Sequence, residues 1–131
     1  MKNFVLIITM IIGFLSTSIT AQKTIWLDQN LKETTLKEAI YYKLGNQLEG
    51  KVSYYFKNKS VYRKVFFVDT KLEGKYSEFY NSGELKETGK YKNGLRTGNW
   101  KEYYKTGKIK KRGRYNAGDK VGIWKIFYKN D

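Results

Sequence analysis

Apolar and polar positions change their rhythm twice along the chain. Phe4 to Leu15 is an apolar run behind Lys2, and it gives way to the small, polar stretch Ser16–Ala21. From about residue 50 onward, aromatic and aliphatic residues come in short bursts between glycine and polar clusters. Runs such as Asn99–Lys105 and Lys108–Asn116 are rich in rings and β-branched residues and are bounded by glycine, which predicts short strands. Asn81-Ser82-Gly83 and Lys105-Thr106-Gly107 read as hairpin turns, with Asn93-Gly94 and Ala117-Gly118-Asp119 as turns of a second kind. Between these regimes, Ala39–Lys43 reads as a strand, and Leu27–Lys37 as a loop or a short helical turn.

The bursts are periodic. Gly74, Gly98 and Gly122 recur with a period of 24, and Tyr76, Trp100 and Trp124 follow each by two. Phe79-Tyr80, Tyr103-Tyr104 and Phe127-Tyr128 keep the register, as do Gly83 with Gly107, Leu85 with Ile109, and Gly89, Tyr91 and Gly94 with Gly113, Tyr115 and Gly118. Nine of the 12 glycines lie from Gly74 onward, so glycine belongs to the repeat and not to the chain at large. A degenerate copy starts at Gly50, with Tyr55-Phe56 for the ring pair, Lys59 for the turn glycine and Val65 for the mid-strand glycine. The predicted organisation is a leader over 1–21, an irregular segment with one short strand over 22–49, and an array over 50–131. The array divides into 50–73, 74–97, 98–121 and a partial unit 122–131. The expected fold is all-β: an antiparallel meander of stacked β-hairpin repeats in a single twisted sheet.

Period-2 alternation then sorts the side chains. Trp100, Glu102 and Tyr104 are expected on one face of their strand, with Lys101, Tyr103 and Lys105 on the other. Ile109, Lys111, Gly113 and Tyr115 should point one way, and Lys108, Lys110, Arg112 and Arg114 the other. Rings that recur in register are what a repeated packing unit needs, so Tyr76, Tyr80, Tyr91, Trp100, Tyr104, Tyr115, Trp124 and Tyr128 form the expected core. Lys101, Tyr103, Lys105, Lys108, Lys110, Arg112 and Arg114 form the candidate binding face, basic and interleaved with rings.

Charge sharpens this choice. The net charge is +14, yet residues 22–49 carry 4 basic and 4 acidic groups, 50–73 carry 6 and 2, and 74–131 carry 15 and 6. The excess therefore belongs to the array. It suits an anionic partner, and it equally suits solvation and protection of open sheet edges. There is no Cys and no His, which removes disulfides, thiolate chemistry, imidazole bases and most zinc sites. Glu78 and Glu102 are equivalent positions one period apart, a spacing that could pair carboxylates. Ile126 breaks the series, and neighbouring Lys101 and Lys125 point to cross-strand ion pairs instead. No catalytic, metal or cofactor site is expected.

The unit Gly98-Asn-Trp-Lys-Glu-Tyr-Tyr-Lys-Thr-Gly107, with Gly113-Arg-Tyr-Asn-Ala-Gly118 after it, resembles the bacterial variant of the MORN repeat. The resemblance is specific over Gly74–Asp131, weaker over Gly50–Glu73 and absent from Gln22–Glu49. It implies an interaction scaffold without shared catalytic machinery. Exported proteins with this repeat are often labelled YwqK-family antitoxins, so the resemblance also implies, as an alternative, a partner toxin. The leader has the order of a secretory signal peptide, with a positive start, an apolar middle and small residues before a cut near Ala21–Gln22. The expectation is an exported, soluble binding module of the cell envelope. Its partner would be a protein or an anionic polysaccharide or lipid head group, with nucleic acid disfavoured by export and edge-to-edge self-association left open.

Overall fold

The computed structural model describes residues 21–128. The expected leader therefore lies, except for Ala21, outside the described residues. Ten strands follow one another: β1 (Thr24–Leu27), β2 (Tyr41–Leu44), β3 (Gly50–Phe56), β4 (Val61–Val68), β5 (Lys71–Leu72), β6 (Gly74–Phe79), β7 (Leu85–Lys92), β8 (Leu95–Tyr103), β9 (Ile109–Asn116) and β10 (Asp119–Ile126). Among the described residues there is no helix. Every pairing is antiparallel, and spatial order follows chain order, with the short β5 paired to β4 alone. The result is one open meander in which each hairpin docks on the last.

The turns explain why the chain reverses where it does. Asn93 and Gly94 both take positive φ, 50° and 79°, the pair of values a tight two-residue hairpin needs. Ala117 and Gly118 repeat this at 46° and 90°, and Asp69 and Thr70 do so one period upstream of Asn93 and Gly94, at 48° and 63°. Lys59 takes φ 72° where Gly83 and Gly107 stand in later units. The degenerate unit thus keeps the backbone of its neighbours despite losing their residues, at a cost of about 1–2 kcal/mol per left-handed non-glycine residue. Two of these turns are also held from outside: the Asp69 and Asn93 N–H groups donate to Glu49 and Glu73 at 3.2 and 2.8 Å. These glutamates are themselves one period apart.

Register shifts are periodic too. They fall after Tyr54, Glu78 and Glu102 in the β3–β4, β6–β7 and β8–β9 pairs, and between Thr88 and Lys90 in β7–β8 and between Val121 and Lys125 in β9–β10. Outside these shifts, cross-strand partners share a face, and the two faces of the sheet differ. One carries the core. Ile25, Leu27, Val52, Tyr54, Tyr62, Val65, Phe67, Tyr76 and Trp100 are buried, with Tyr91, Tyr115 and Trp124 packed against them. Ring contacts run without a break from Tyr76 to Tyr91 and Trp100, then to Tyr115 and Trp124, at centroid distances of 5.0–5.8 Å. We call this the ring face.

Three local expectations are corrected. Gln22–Glu49 contributes two strands and not one, because Ile25 and Leu27 pack their side chains onto the ring face through pairing with Lys43 and Tyr41. The strand expected from Ala39 starts at Tyr41, and the segment before it is a chain of turns that buries Ala39. Tyr128 is not core: it is 83% exposed, since β10 is an edge strand and no later unit among the described residues covers it.

Candidate functional site: a sheet with two unlike faces

The ring face is built around a lock between strands. Trp100 in β8 lies flat on Gly89 in β7, so close that a Cβ at residue 89 would sit 2.2 Å from ring atoms Cδ2 and Cε2. Trp124 in β10 repeats this on Gly113 in β9, again at 2.2 Å. The mid-strand glycines are thus sockets for the tryptophan of the next unit. The tyrosines of each turn add a second tie. Tyr80 Oη donates to the Tyr103 carbonyl at 2.7 Å, and Tyr104 Oη donates to the Phe127 carbonyl at 2.8 Å.

The glutamates of the strand interiors, Glu78, Glu87 and Glu102, all stand on this face, directly opposite one another across β6, β7 and β8. Each is taken by a cation. Glu78 accepts from Arg63 and Lys86, both at 2.9 Å, and from the Tyr76 hydroxyl at 2.6 Å. Arg96 holds Glu87 through both guanidinium nitrogens, at 2.8 and 3.1 Å, while lying 3.9 Å above the Trp100 ring. Lys110 donates to Glu102 at 2.7 Å. Burial alone would push the Glu78 carboxyl up, but hydrogen bonds from Tyr76 and Lys86 and the charge and hydrogen bond of Arg63 outweigh it and hold the group below its usual range. The expected ion pairs therefore form, but with different partners. Lys101 is adjacent to Glu102 in the strand and so points to the opposite face, and Lys125 is placed with it by pairing to Arg112.

The opposite face is basic. Lys64, Lys75, Lys90, Lys101, Arg112, Arg114 and Lys125 fall on it by register. Several are directly opposite one another: Lys75 with Lys90, Lys101 with Arg112, and Arg112 with Lys125. Lys101, Arg112, Arg114 and Lys125 line a concavity of about 410 Å³ with Asn99 and Ile123, and Ile123 is 83% exposed. Toward the N-terminal end the same face carries rings. Trp26, Tyr42 and Tyr55 form a row with centroid separations of 5.6 and 5.2 Å. Phe66 and Phe79 then line a concavity of about 660 Å³ with Lys51, Lys64 and Lys75.

The seven candidate binding residues separate accordingly. Lys101, Tyr103, Arg112 and Arg114 share the basic face. Lys110 does not, because the register shift after Glu102 turns it to the ring face and onto that carboxylate. The same shift sets Ile109 opposite Tyr103, away from the ring face where alternation placed it. Lys105 stands at a turn with its ammonium 5.6 Å from the Tyr80 ring, and Lys108 is exposed in the same turn. Of the expected core, Tyr76 and Trp100 are 3% and 2% exposed, and Tyr80, Tyr91, Tyr104, Tyr115 and Trp124 are partly buried. Missed from the sequence were Lys64, Lys75, Lys90 and Lys125 as members of the basic face, and the rings Trp26, Tyr42, Tyr55, Phe66 and Phe79. One period links Lys90 to Arg114 and Lys101 to Lys125, but Lys75 steps to Asn99 and then to Ile123, and Lys101 steps back to Ser77, so the basic positions recur in pairs and not through the whole array.

No curated protein matches the chain. The family described as MORN repeat variant matches it twice, over residues 72–93 and 96–117. The two stretches begin one period apart and contain the β6–β7 hairpin and, but for Leu95, the β8–β9 hairpin. The period read from glycines and rings is thus that of the MORN repeat variant, and the chain carries at least two such units.

Proposed function

We propose that this protein is a non-enzymatic binding module, exported to the cell envelope, whose basic sheet face takes an anionic polysaccharide. MORN-type repeats are consistent with a binding role. The observation that carries the rest is the segregation of charge. The strand-interior glutamates and, among the described residues, all four ion pairs lie on the ring face. The opposite face keeps like charges directly across from one another, and each such pair costs stability, about 0.2–1 kcal/mol on the scale of cross-strand pairs. A surface tuned only for solubility mixes the two signs. A face that bears this repulsion is suited to a ligand that supplies the missing anions. The rings on the same face, with Phe66 and Phe79 beside Lys51, Lys64 and Lys75, favour a sugar polymer, because flat aromatic surfaces stack on the apolar faces of sugar rings while the cations meet its acidic groups. Lys2 and the apolar run from Phe4, followed by small residues to Ala21, support export.

The test is binding of the 22–131 chain to a polyuronate such as alginate, against neutral dextran, with salt varied. Binding is expected to the polyuronate alone, weakening steeply as salt rises. Equal binding to dextran, or salt-insensitive binding, would overturn it. Export is tested separately by the N-terminal residue of the mature protein, expected to be Gln22.

A further inference from the structure

The second repeat reverses the sign of a charge on the ring face that the first repeat pairs. Glu87 and Arg96 clamp each other beside Trp100, and one period on their places are taken by Lys111 and Lys120. A pair of opposite charges has become a pair of like charges. Both ammonium groups lie against the Trp124 ring, at 5.2 and 4.9 Å from its centroid. The indole differs in step. Trp100 Nε1 donates to the Thr97 carbonyl at 3.2 Å, whereas Trp124 Nε1 is buried without an acceptor among the described residues. A cavity of about 70 Å³ is lined by Lys111, Tyr115 and Trp124 together with Glu87, Arg96 and Glu102. The two glutamates in it are already held, Glu87 by Arg96 and Glu102 by Lys110. Its volume is that of about two waters in the liquid, the scale of one carboxylate head group.

We propose that Lys111, Lys120 and the Trp124 indole form a carboxylate site, in which a ligand's carboxylate takes the place that Glu87 fills in the preceding unit. Two cations held against one indole repel each other, and an anion between them removes that repulsion. The site lies on the ring face, so it is distinct from the basic face and does not depend on its ligand.

The test uses the indole N–H as reporter. In the 22–131 chain, with ¹⁵N label and Trp124→Phe for assignment, acetate is titrated at constant ionic strength against chloride. A glutamate-rich peptide forms a second arm, which distinguishes a free acid from an acidic side chain as the source. The Trp124 resonance is expected to shift saturably, with millimolar affinity for acetate, while those of Trp26 and Trp100 stay in place. The double variant Lys111→Glu, Lys120→Arg rebuilds the pair of the preceding unit, and it is expected to fold, to melt higher and to lose the response at least tenfold. A silent Trp124 resonance, an equal response at Trp100, or an undiminished response in the double variant would overturn the proposal. Deletion of residues 129–131 is expected to leave the unliganded resonance unmoved. A shift on deletion opposite to that caused by acetate would assign the site to the chain's own tail and refute the proposal as stated.

Discussion

Replacing Gly89 by Ala isolates the ring-in-socket lock in one methyl group. Gly89 has an ordinary backbone conformation, so alanine brings no φ strain, and in a strand it should gain about 0.5–1 kcal/mol through the loss of glycine's freedom in the unfolded chain. Against this, the new Cβ would stand 2.2 Å from two atoms of the Trp100 ring and 2.7 Å from a third. The ring must move by more than an ångström, and it is 2% exposed, wedged among Tyr76, Tyr91 and Tyr115 with Arg96 on top. Overpacking of this kind costs about 1–3 kcal/mol where the site can yield, and the loss of a buried aromatic about 3–5 kcal/mol where it cannot. The expected net loss is about 2–4 kcal/mol, or a melting temperature lowered by roughly 10–25 °C for a domain of this size. Gly113→Ala makes the same clash with Trp124, but that ring sits in an edge strand and can swing outward. Its expected cost is about half as large. Urea unfolding of the 22–131 chain measures both. A Gly89→Ala protein within about 0.5 kcal/mol of the parent, the range of ordinary surface changes, would refute the lock. So would a Gly113→Ala protein that is the less stable of the two.

Other expectations follow from the same geometry. Trp100→Ala should cost about 3–5 kcal/mol, and Trp124→Ala no more than half of that, by equilibrium unfolding. Thr70→Gly should stabilise by about 0.5–1 kcal/mol, since a β-branched residue at φ 63° is strained while glycine's larger unfolded-state entropy offsets part of the gain. Glu78→Gln should cost about 2 kcal/mol at neutral pH by stripping Arg63 and Lys86 of their shared carboxylate. Glu78 titrates lower in the folded chain than in the unfolded one, so its stabilisation is complete above the unfolded carboxyl range and disappears as pH falls through the folded value. The parent and the glutamine variant should therefore converge in stability toward acid pH, and a gap that stays constant below about pH 4 would contradict this assignment.

Much of the architecture was legible in the sequence because the repeat is written in residues with narrow conformational meaning. Glycine with asparagine or alanine fixes the turns, and one ring per strand fixes the stacking axis. What alternation misplaced has one cause. The register shift after Glu102 puts an additional residue into β9, so that Lys110 joins Glu102 and Ile109 faces Tyr103. A period-2 count along an isolated strand carries no mark of such a bulge. The edge tyrosine, Tyr128, was misread for a different reason: its place in the repeat is that of Tyr80 and Tyr104, but a hydroxyl needs a following strand to receive it. The basic face became visible only when β4, β6, β7, β8, β9 and β10 were set side by side, because the period links its cations only in twos, Lys90 with Arg114 and Lys101 with Lys125, and strand pairing gathers the rest.

The most direct test of that face compares two triple variants of equal net charge. Lys101→Glu, Arg112→Glu and Lys125→Glu reverse the row across β8, β9 and β10. Lys37→Glu, Lys57→Glu and Lys105→Glu reverse three exposed cations away from it. Alginate affinity is measured for both beside the parent, at one low and one moderate salt concentration. The first variant is expected to lose binding and the salt dependence with it, while the second keeps most of both. Equal losses in the two variants would mean that net charge alone attracts the polymer, and the basic face would have no claim as a site.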